Sequence, residues 1–132
     1  MKNHFILILC LATLMLSGCS NGKMQTLGEF LEDADIEYVD AVTITDGSTG
    51  YHKTTTELSQ IEEFLNLVND IMFSPQKNQE KRVGLRYGIT LYEGEKSFHF
   101  SLNYINGVYY DSNPDIHPIV DEFYKNLAVE EK

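Results

Sequence analysis

Two periodicities organise the chain beyond residue 36. Val83, Leu85, Tyr87, Ile89 and Leu91 alternate with Gly84, Arg86, Gly88, Thr90 and Tyr92, and Phe98, Phe100, Leu102 and Tyr104 alternate with His99, Ser101 and Asn103. A period of two puts every second side chain on one side of a pleated backbone, which predicts two strands with one buried face each. Between them, Glu93-Gly94-Glu95-Lys96 supplies a tight turn with Gly at its first central position. Asn106-Gly107 is a second hairpin signal, leading into a short strand at Val108-Tyr109-Tyr110. Upstream, the β-branched run Tyr38–Thr45 reads as a strand, the turn formers Asp46-Gly47-Ser48-Thr49-Gly50 as a hairpin loop, and Tyr51–Thr55 as the returning strand. The period then changes to 3.6: apolar residues at 58, 61, 64, 65, 67, 68, 71 and 72 predict an amphipathic helix, capped by Thr56 or by Ser59 with Glu62 and ended by Ser74-Pro75. A second helix opens after Asp111-Ser112-Asn113-Pro114, with Ile116, Ile119, Val120, Phe123, Tyr124 and Leu127 as its apolar face.

The order ββαβββα predicts an α+β domain over residues 36–132, a largely antiparallel sheet with two helices packed on one face. A two-residue Gly94-Glu95 turn fixes the register. Leu91 then faces Phe98, Ile89 faces Phe100, Tyr87 faces Leu102 and Leu85 faces Tyr104, apolar or aromatic in every pair. On the other face the same register sets Thr90 against His99, Gly88 against Ser101 and Arg86 against Asn103, and the Asn106-Gly107 turn brings Tyr110 beside Asn103. Arg86, His99, Asn103 and Tyr110 are therefore the candidate binding surface. It is either a recognition patch, since Tyr and Arg are favoured interface anchors, or a solvated sheet face whose composition suits strands.

The N-terminus follows neither period. Phe5 to Leu16 is an almost unbroken apolar run behind Lys2, shorter than the roughly 20 residues that a membrane-spanning helix needs. A basic start, a short apolar core and small residues afterwards make a secretory signal peptide over residues 1–18. Leu16-Ser17-Gly18-Cys19 resembles the lipobox of bacterial lipoproteins. That resemblance implies lipidation of Cys19 by a diacylglyceryl group, removal of the preceding peptide, and a mature chain beginning at Cys19 on the outer side of the cytoplasmic membrane. Each buried acyl methylene contributes about 0.8 kcal/mol, so two or more chains hold a protein at a bilayer. Ser20, not Asp, follows the cysteine, which by the same resemblance favours the outer membrane where a cell has two. Residues 19–35 read as a tether, in which Leu27, Phe30 and Leu31 have the spacing of a short docking turn.

This reading changes the cysteine arithmetic. Of two Cys, Cys10 leaves with the signal and the Cys19 sulfur becomes a thioether, so disulfides, thiolate metal sites and thiol nucleophiles are excluded from the mature chain. The balance of 10 Lys+Arg against 20 Asp+Glu gives a formal charge of −10 and no basic stripe for phosphates, which excludes a nucleic-acid partner. With 132 residues and 42% hydrophobic content, the chain is one folded domain with an appendage rather than a disordered chain or a large enzyme.

Candidate chemistry is sparse. His52, His99 and His117 lie on three different elements without zinc-ligand spacing, and no Gly-x-Ser-x-Gly frames a serine nucleophile. Asp46-Gly47-Ser48-Thr49-Gly50 lacks the repeated acids of a calcium loop. Glu62-Glu63, Glu93/Glu95 and Glu130-Glu131 sit on turns, a polar helix face or the chain end, where solvation explains them. The expectation is no metal, no cofactor and a monomer.

The runs Val42-Thr43-Ile44-Thr45-Asp46-Gly47, Thr54-Thr55-Thr56, Ile61-Glu62-Glu63-Phe64-Leu65 and Tyr87-Gly88-Ile89-Thr90-Leu91-Tyr92 resemble small uncharacterised lipoproteins of Gram-positive bacteria. The resemblance covers most of residues 36–127 and implies a cell-surface location without assigning catalytic residues. The leading expectation is a membrane-anchored, non-catalytic binding module that engages an envelope protein or small ligand. The alternatives are an immunity-type inhibitor of a secreted toxin or enzyme, and a small cell-wall hydrolase using Arg86, His99 and Tyr110. The environment of His99 separates them: a deep pocket with a carboxylate favours the enzyme, a flat exposed face the binder.

Overall fold

The computed structural model describes residues 22–84 and 86–132; the expected signal peptide, the Cys19 lipidation site and Leu85 lie outside the described residues. The elements are β1 (Gln25–Thr26), α1 (Leu27–Asp33), β2 (Ala41–Asp46), β3 (His52–Thr55), α2 (Leu58–Val68), β4 (Met72–Pro75), β5 (Tyr87–Glu93), β6 (Lys96–Ser101), β7 (Tyr104–Ile105), β8 (Val108–Asn113) and α3 (Ile116–Asn126). The strands form one eight-stranded sheet in the order β1-β4-β8-β7-β6-β5-β2-β3, with every neighbouring pair antiparallel. The α+β class and the antiparallel sheet thus agree with the sequence pattern. The ββαβββα order does not hold, because β1, α1, β4 and β7 are additional elements and three helices contribute to the core.

The first addition starts at Thr26. Its hydroxyl accepts the Glu29 N–H at 3.2 Å while the Glu29 carboxylate accepts the Thr26 N–H at 3.4 Å, a reciprocal cap on α1. The helix ends with Asp35 at φ +60. There the Ile36 N–H donates to the Leu31 carbonyl at 2.9 Å and the Asp35 N–H to that of Glu32 at 3.0 Å, closing the last turn. Between these caps Leu27, Phe30 and Leu31 are buried. What the sequence presents as a docking turn on a tether is a capped helix in the core, and the folded unit reaches back to Gln25.

The second addition replaces the end of a helix. Instead of running to Ser74-Pro75, α2 stops at Val68, and Asn69-Asp70 leads into β4 beside β8. Ile71 and Phe73, which fit or flank the helical stripe, also fit a period of two, and both are buried. The Gln76 N–H donates to the Tyr109 carbonyl at 2.9 Å. Alternation then turns the Pro75 nitrogen away from β8, where its missing donor costs that ladder nothing.

The hairpins hold the expected register as far as Ser101. Leu91 pairs with Phe98, Ile89 with Phe100, Thr90 with His99 and Gly88 with Ser101. Beyond that the chain turns at Leu102-Asn103, so that Ser101 pairs with Tyr104 and Tyr104 with Tyr109. Leu102 keeps one link to its expected neighbour, its N–H donating to the Tyr87 carbonyl at 3.4 Å. The Asn106-Gly107 turn, with φ +51 and +79, joins β7 to β8 as its sequence predicts.

Inward side chains of the sheet (Val42, Ile44, Ile89, Leu91, Phe98, Phe100) join those of all three helices in one core. Phe64 of α2 meets Phe123 of α3 at 5.0 Å between ring centroids, and Phe30 of α1 meets Phe73 edge-on at 5.9 Å. Lys53, an inward position of β3, donates to the carbonyls of Tyr124 and Leu127 at 2.7 and 3.1 Å. It places a cation on the C-terminal end of α3, where the unpaired carbonyls favour one.

Candidate functional site

The residues that the sequence groups into one patch do not share one face: only Asn103 and Tyr110 are joined, through the Tyr110 backbone. Arg86 precedes β5 and its guanidinium Nε lies 3.2 Å from Asp46 Oδ1. Asn103, in the turn after β6, donates through Nδ2 to the Tyr110 carbonyl at 2.9 Å and accepts the Tyr110 N–H on its own carbonyl at 2.7 Å, fastening the turn to β8. Asn103 and Tyr110 are thus neighbours as expected, but the Tyr110 ring points into the core. There it meets Phe30 at 5.5 Å and Phe73 at 6.2 Å, both edge-on, and burial raises its phenol pKa. Only His99 remains exposed on the outer sheet face. The patch fails because it extends the β5/β6 register past Ser101, where the chain has already turned.

Arg86 belongs instead to a charge cluster at the end of the sheet. Asp46 closes β2 and accepts the Ser48 N–H at 2.9 Å and the Ser48 hydroxyl at 2.7 Å, both on Oδ1. The Ser48 hydroxyl foremost, with help from Arg86, holds the Asp46 carboxyl below the usual range. On α3, Asp121 accepts the Tyr87 hydroxyl at 2.6 Å and Lys125 Nζ at 2.7 Å, with Arg86 Nη2 at 3.7 Å. Lys125 first and Tyr87 second lower its pKa, while burial, reinforced by Asp121, pushes the Tyr87 phenol up to about 12. Beside it, burial and the hydrogen bond to Glu131 raise the Tyr124 phenol. Clustered perturbed groups are one mark of a functional site. Here, however, each carboxylate is stabilised as a carboxylate and each phenol as a phenol, so no member is poised to take or give a proton near neutral pH. Chemically the cluster is a clamp that joins the β2 turn, the start of β5 and α3. Asp46, Tyr87 and Asp121 were not candidates from sequence: one reads as a turn former, one as core and one as a polar helix position. Only the Asp121/Lys125 spacing of four is a visible signal.

The outer face of β3, β2, β5 and β6 is built differently. Its outward positions are Ala41, Thr43 and Thr45 on β2, His52 and Thr54 on β3, Gly88, Thr90 and Tyr92 on β5, and Ser97, His99 and Ser101 on β6. Not one is Asp, Glu, Lys or Arg, in a chain whose residues are 23% charged. None is buried. Thr43 and Thr54 share a hydroxyl hydrogen bond of 2.8 Å across β2/β3, and Thr90 and His99 Nδ1 share one of 2.8 Å across β5/β6. The imidazole lies across Gly88, where an added Cβ would stand 3.3 Å from His99 Cε1. His99 is therefore on an open sheet, partnered by a hydroxyl. Among the described residues no group of three His, Cys, Asp or Glu is placed to hold a metal ion, and no helix is long and apolar enough to cross a membrane.

No protein-family model, curated protein or solved structure matches the chain.

Proposed function

We propose that the protein is a membrane-anchored extracytoplasmic lipoprotein of the Gram-positive type, lipidated at Cys19, whose folded unit is a non-catalytic binding module. Its uncharged outer sheet face engages a protein of the cell envelope. The observation that carries this reading is the segregation of charge. A formal charge of −10 is spread over the chain, yet a contiguous four-stranded face holds only hydroxyl, aromatic and small side chains. Depletion of charged residues is one feature of the centre of a protein interface, because an ion buried without its partner costs several kcal/mol. His99 adds to the case: on an open surface beside Thr90 it has the setting expected of a binder, not that of a general base oriented by a carboxylate.

The anchor and the face are tested separately. Cys19→Ala should release the protein from membranes or leave the signal unprocessed; correctly processed protein that stays membrane-bound would contradict the lipidation. For the face, a photo-crosslinking residue at position 99 in intact cells should give discrete adducts that disappear when Thr43→Lys and Thr90→Lys are added. Position 80, on an exposed loop, should give none of them. The same adducts from both positions, or adducts indifferent to the two lysines, would rule the face out.

A further inference from the structure

The helical side of the molecule carries an opening of its own. A cavity of about 330 Å³ lies between α2 and α3 and the residues after α3, close to the lower end of the roughly 300–1,000 Å³ typical of ligand pockets. Its apolar surface comes from Leu67 on α2 and from Ile119, Phe123 and Leu127. Leu67 is 45% exposed, an apolar side chain on the solvent side of a helix whose Ile61, Phe64 and Val68 face the core. One carboxylate stands on each wall, Glu63 from α2 and Glu122 from α3, and no Lys or Arg lines the groove. Gln60, Glu63 and Leu67 are spaced by three and four along α2, as are Ile119, Glu122, Phe123 and Asn126 along α3. The apolar and acidic positions thus run together along about 10 Å of both helices, two turns of a helix or a few extended residues.

We propose that this groove docks a cationic amphipathic segment of a partner protein, whose apolar side chains sit on Leu67, Ile119 and Phe123 and whose Lys or Arg heads meet Glu63 and Glu122. Charge complementarity selects the occupant. An apolar strip between two carboxylates, on a chain of charge −10, repels an acidic amphipathic segment and attracts a basic one from a distance. Apolar anchors with flanking charges are the way amphipathic helices enter hydrophobic grooves. The inference does not rest on the sheet face or on the lipid.

The test is a fluorescence-anisotropy titration of the full chain, carried in phosphatidylcholine nanodiscs with empty discs as the blank. The probe is a labelled 14-residue Leu/Lys peptide with leucines at helical spacing, and its comparison is the same peptide with Glu in place of every Lys. Saturable 1:1 binding of the Leu/Lys peptide is expected, at least tenfold tighter than that of the Leu/Glu peptide. Leu67→Gln, which leaves the net charge unchanged at an exposed position, should weaken it about tenfold. Glu63→Lys with Glu122→Lys should weaken it at least tenfold, whereas the charge-matched pair Glu80→Lys with Glu95→Lys should change it less than threefold. Equal losses in the two charge-reversed pairs would reduce the effect to diffuse attraction and overturn the proposal. So would unchanged binding by Leu67→Gln, equal binding of both peptides, or no saturable binding. Thr90→Lys should leave the titration as it is, so failure of the sheet-face reading and failure of this one give different results.

Discussion

Phe30→Ala tests whether the segment before Ile36 is tether or core. The ring is 3% exposed and lies 5.9 Å from Phe73, 5.5 Å from Tyr110 and 6.5 Å from Phe98 between centroids. It therefore joins α1 to strands β4, β8 and β6. Truncating a buried Phe to Ala costs about 3–5 kcal/mol in lost transfer energy and residual cavity. The lost edge-on pairings push this site toward the upper half of that range. Against a total stability of about 5–15 kcal/mol for a domain, that is a large share. With a urea m-value of about 2 kcal/mol/M, a loss of 4 kcal/mol lowers the unfolding midpoint by about 2 M. The assay is urea unfolding followed by circular dichroism, with Val83→Ala, at a position 96% exposed, as the surface control within about 0.5 kcal/mol. A midpoint for Phe30→Ala inside that same margin would mean that α1 contributes nothing to the fold and would refute its placement in the core.

Two other expectations concern single side chains. Asp46→Asn preserves an oxygen for the Ser48 N–H but removes the ion pair with Arg86. The folded carboxyl titrates below its ordinary value of 3.8, so its stabilisation is present above that value and disappears as pH falls through the folded pKa. Urea midpoints of wild type and variant should therefore differ at pH 7 and converge below pH 3.8; a constant offset down to pH 2 would show that the charge is not the cause. Asp35→Gly relieves a non-glycine residue at φ +60 in the closing turn of α1. It should raise stability by about 0.5–1 kcal/mol, since the Lys96 pair it sacrifices, at 3.6 Å on a side chain 83% exposed, is a weak surface contact. A fall in the thermal midpoint would mean that this contact outweighs the backbone strain.

What the sequence reveals is what short-range periodicity encodes. The β5/β6 register follows from Gly94-Glu95 because a two-residue turn leaves no freedom once one face must be buried, and Asn106-Gly107 specifies β7/β8 in the same way. The pattern fails where two periods coincide. Ile71 satisfies a helix and a strand alike, and only the long-range pairing of β4 with β8 decides for the strand. Leu102 continues an alternation, yet its side chain is buried from within a turn, so alternation alone carries the strand too far and puts Arg86 opposite Asn103. The charge cluster is illegible for a related reason. Asp46 reaches Arg86 across 40 positions and Tyr87 reaches Asp121 across 34, and nothing local marks either pair. The uncharged outer face, in contrast, was available in part. Thr90, His99, Gly88 and Ser101 fall on one side in the inferred register, and what was missing was β2 beside β5.

The early start of the fold bears on how the proposed anchor would act. With β1 beginning at Gln25, residues 20–24 are all that separate Cys19 from the sheet, and the six steps from Cys19 to Gln25 span at most about 20 Å. A domain of roughly 110 residues has a radius of gyration near 13 Å. On the proposed anchoring it would therefore stay within about one diameter of the bilayer instead of sampling the space that a tether through residue 35 allows. Two consequences follow. Partners would have to be membrane-resident or come to the surface, which favours envelope proteins over freely diffusing ones. Anionic headgroups would also repel an acidic chain, and the repulsion is weaker for a face without carboxylates. A face kept free of charge is thus suited to working close to the membrane, whereas the groove with Glu63 and Glu122 is suited to drawing in a basic segment from the side. Lengthening the link by some 12 Gly/Ser residues after position 20 separates these roles: it should reduce crosslinking from position 99 while leaving peptide binding in the groove unchanged. Equal loss of both would mean that the groove, too, depends on its distance from the bilayer, and would refute this separation of roles.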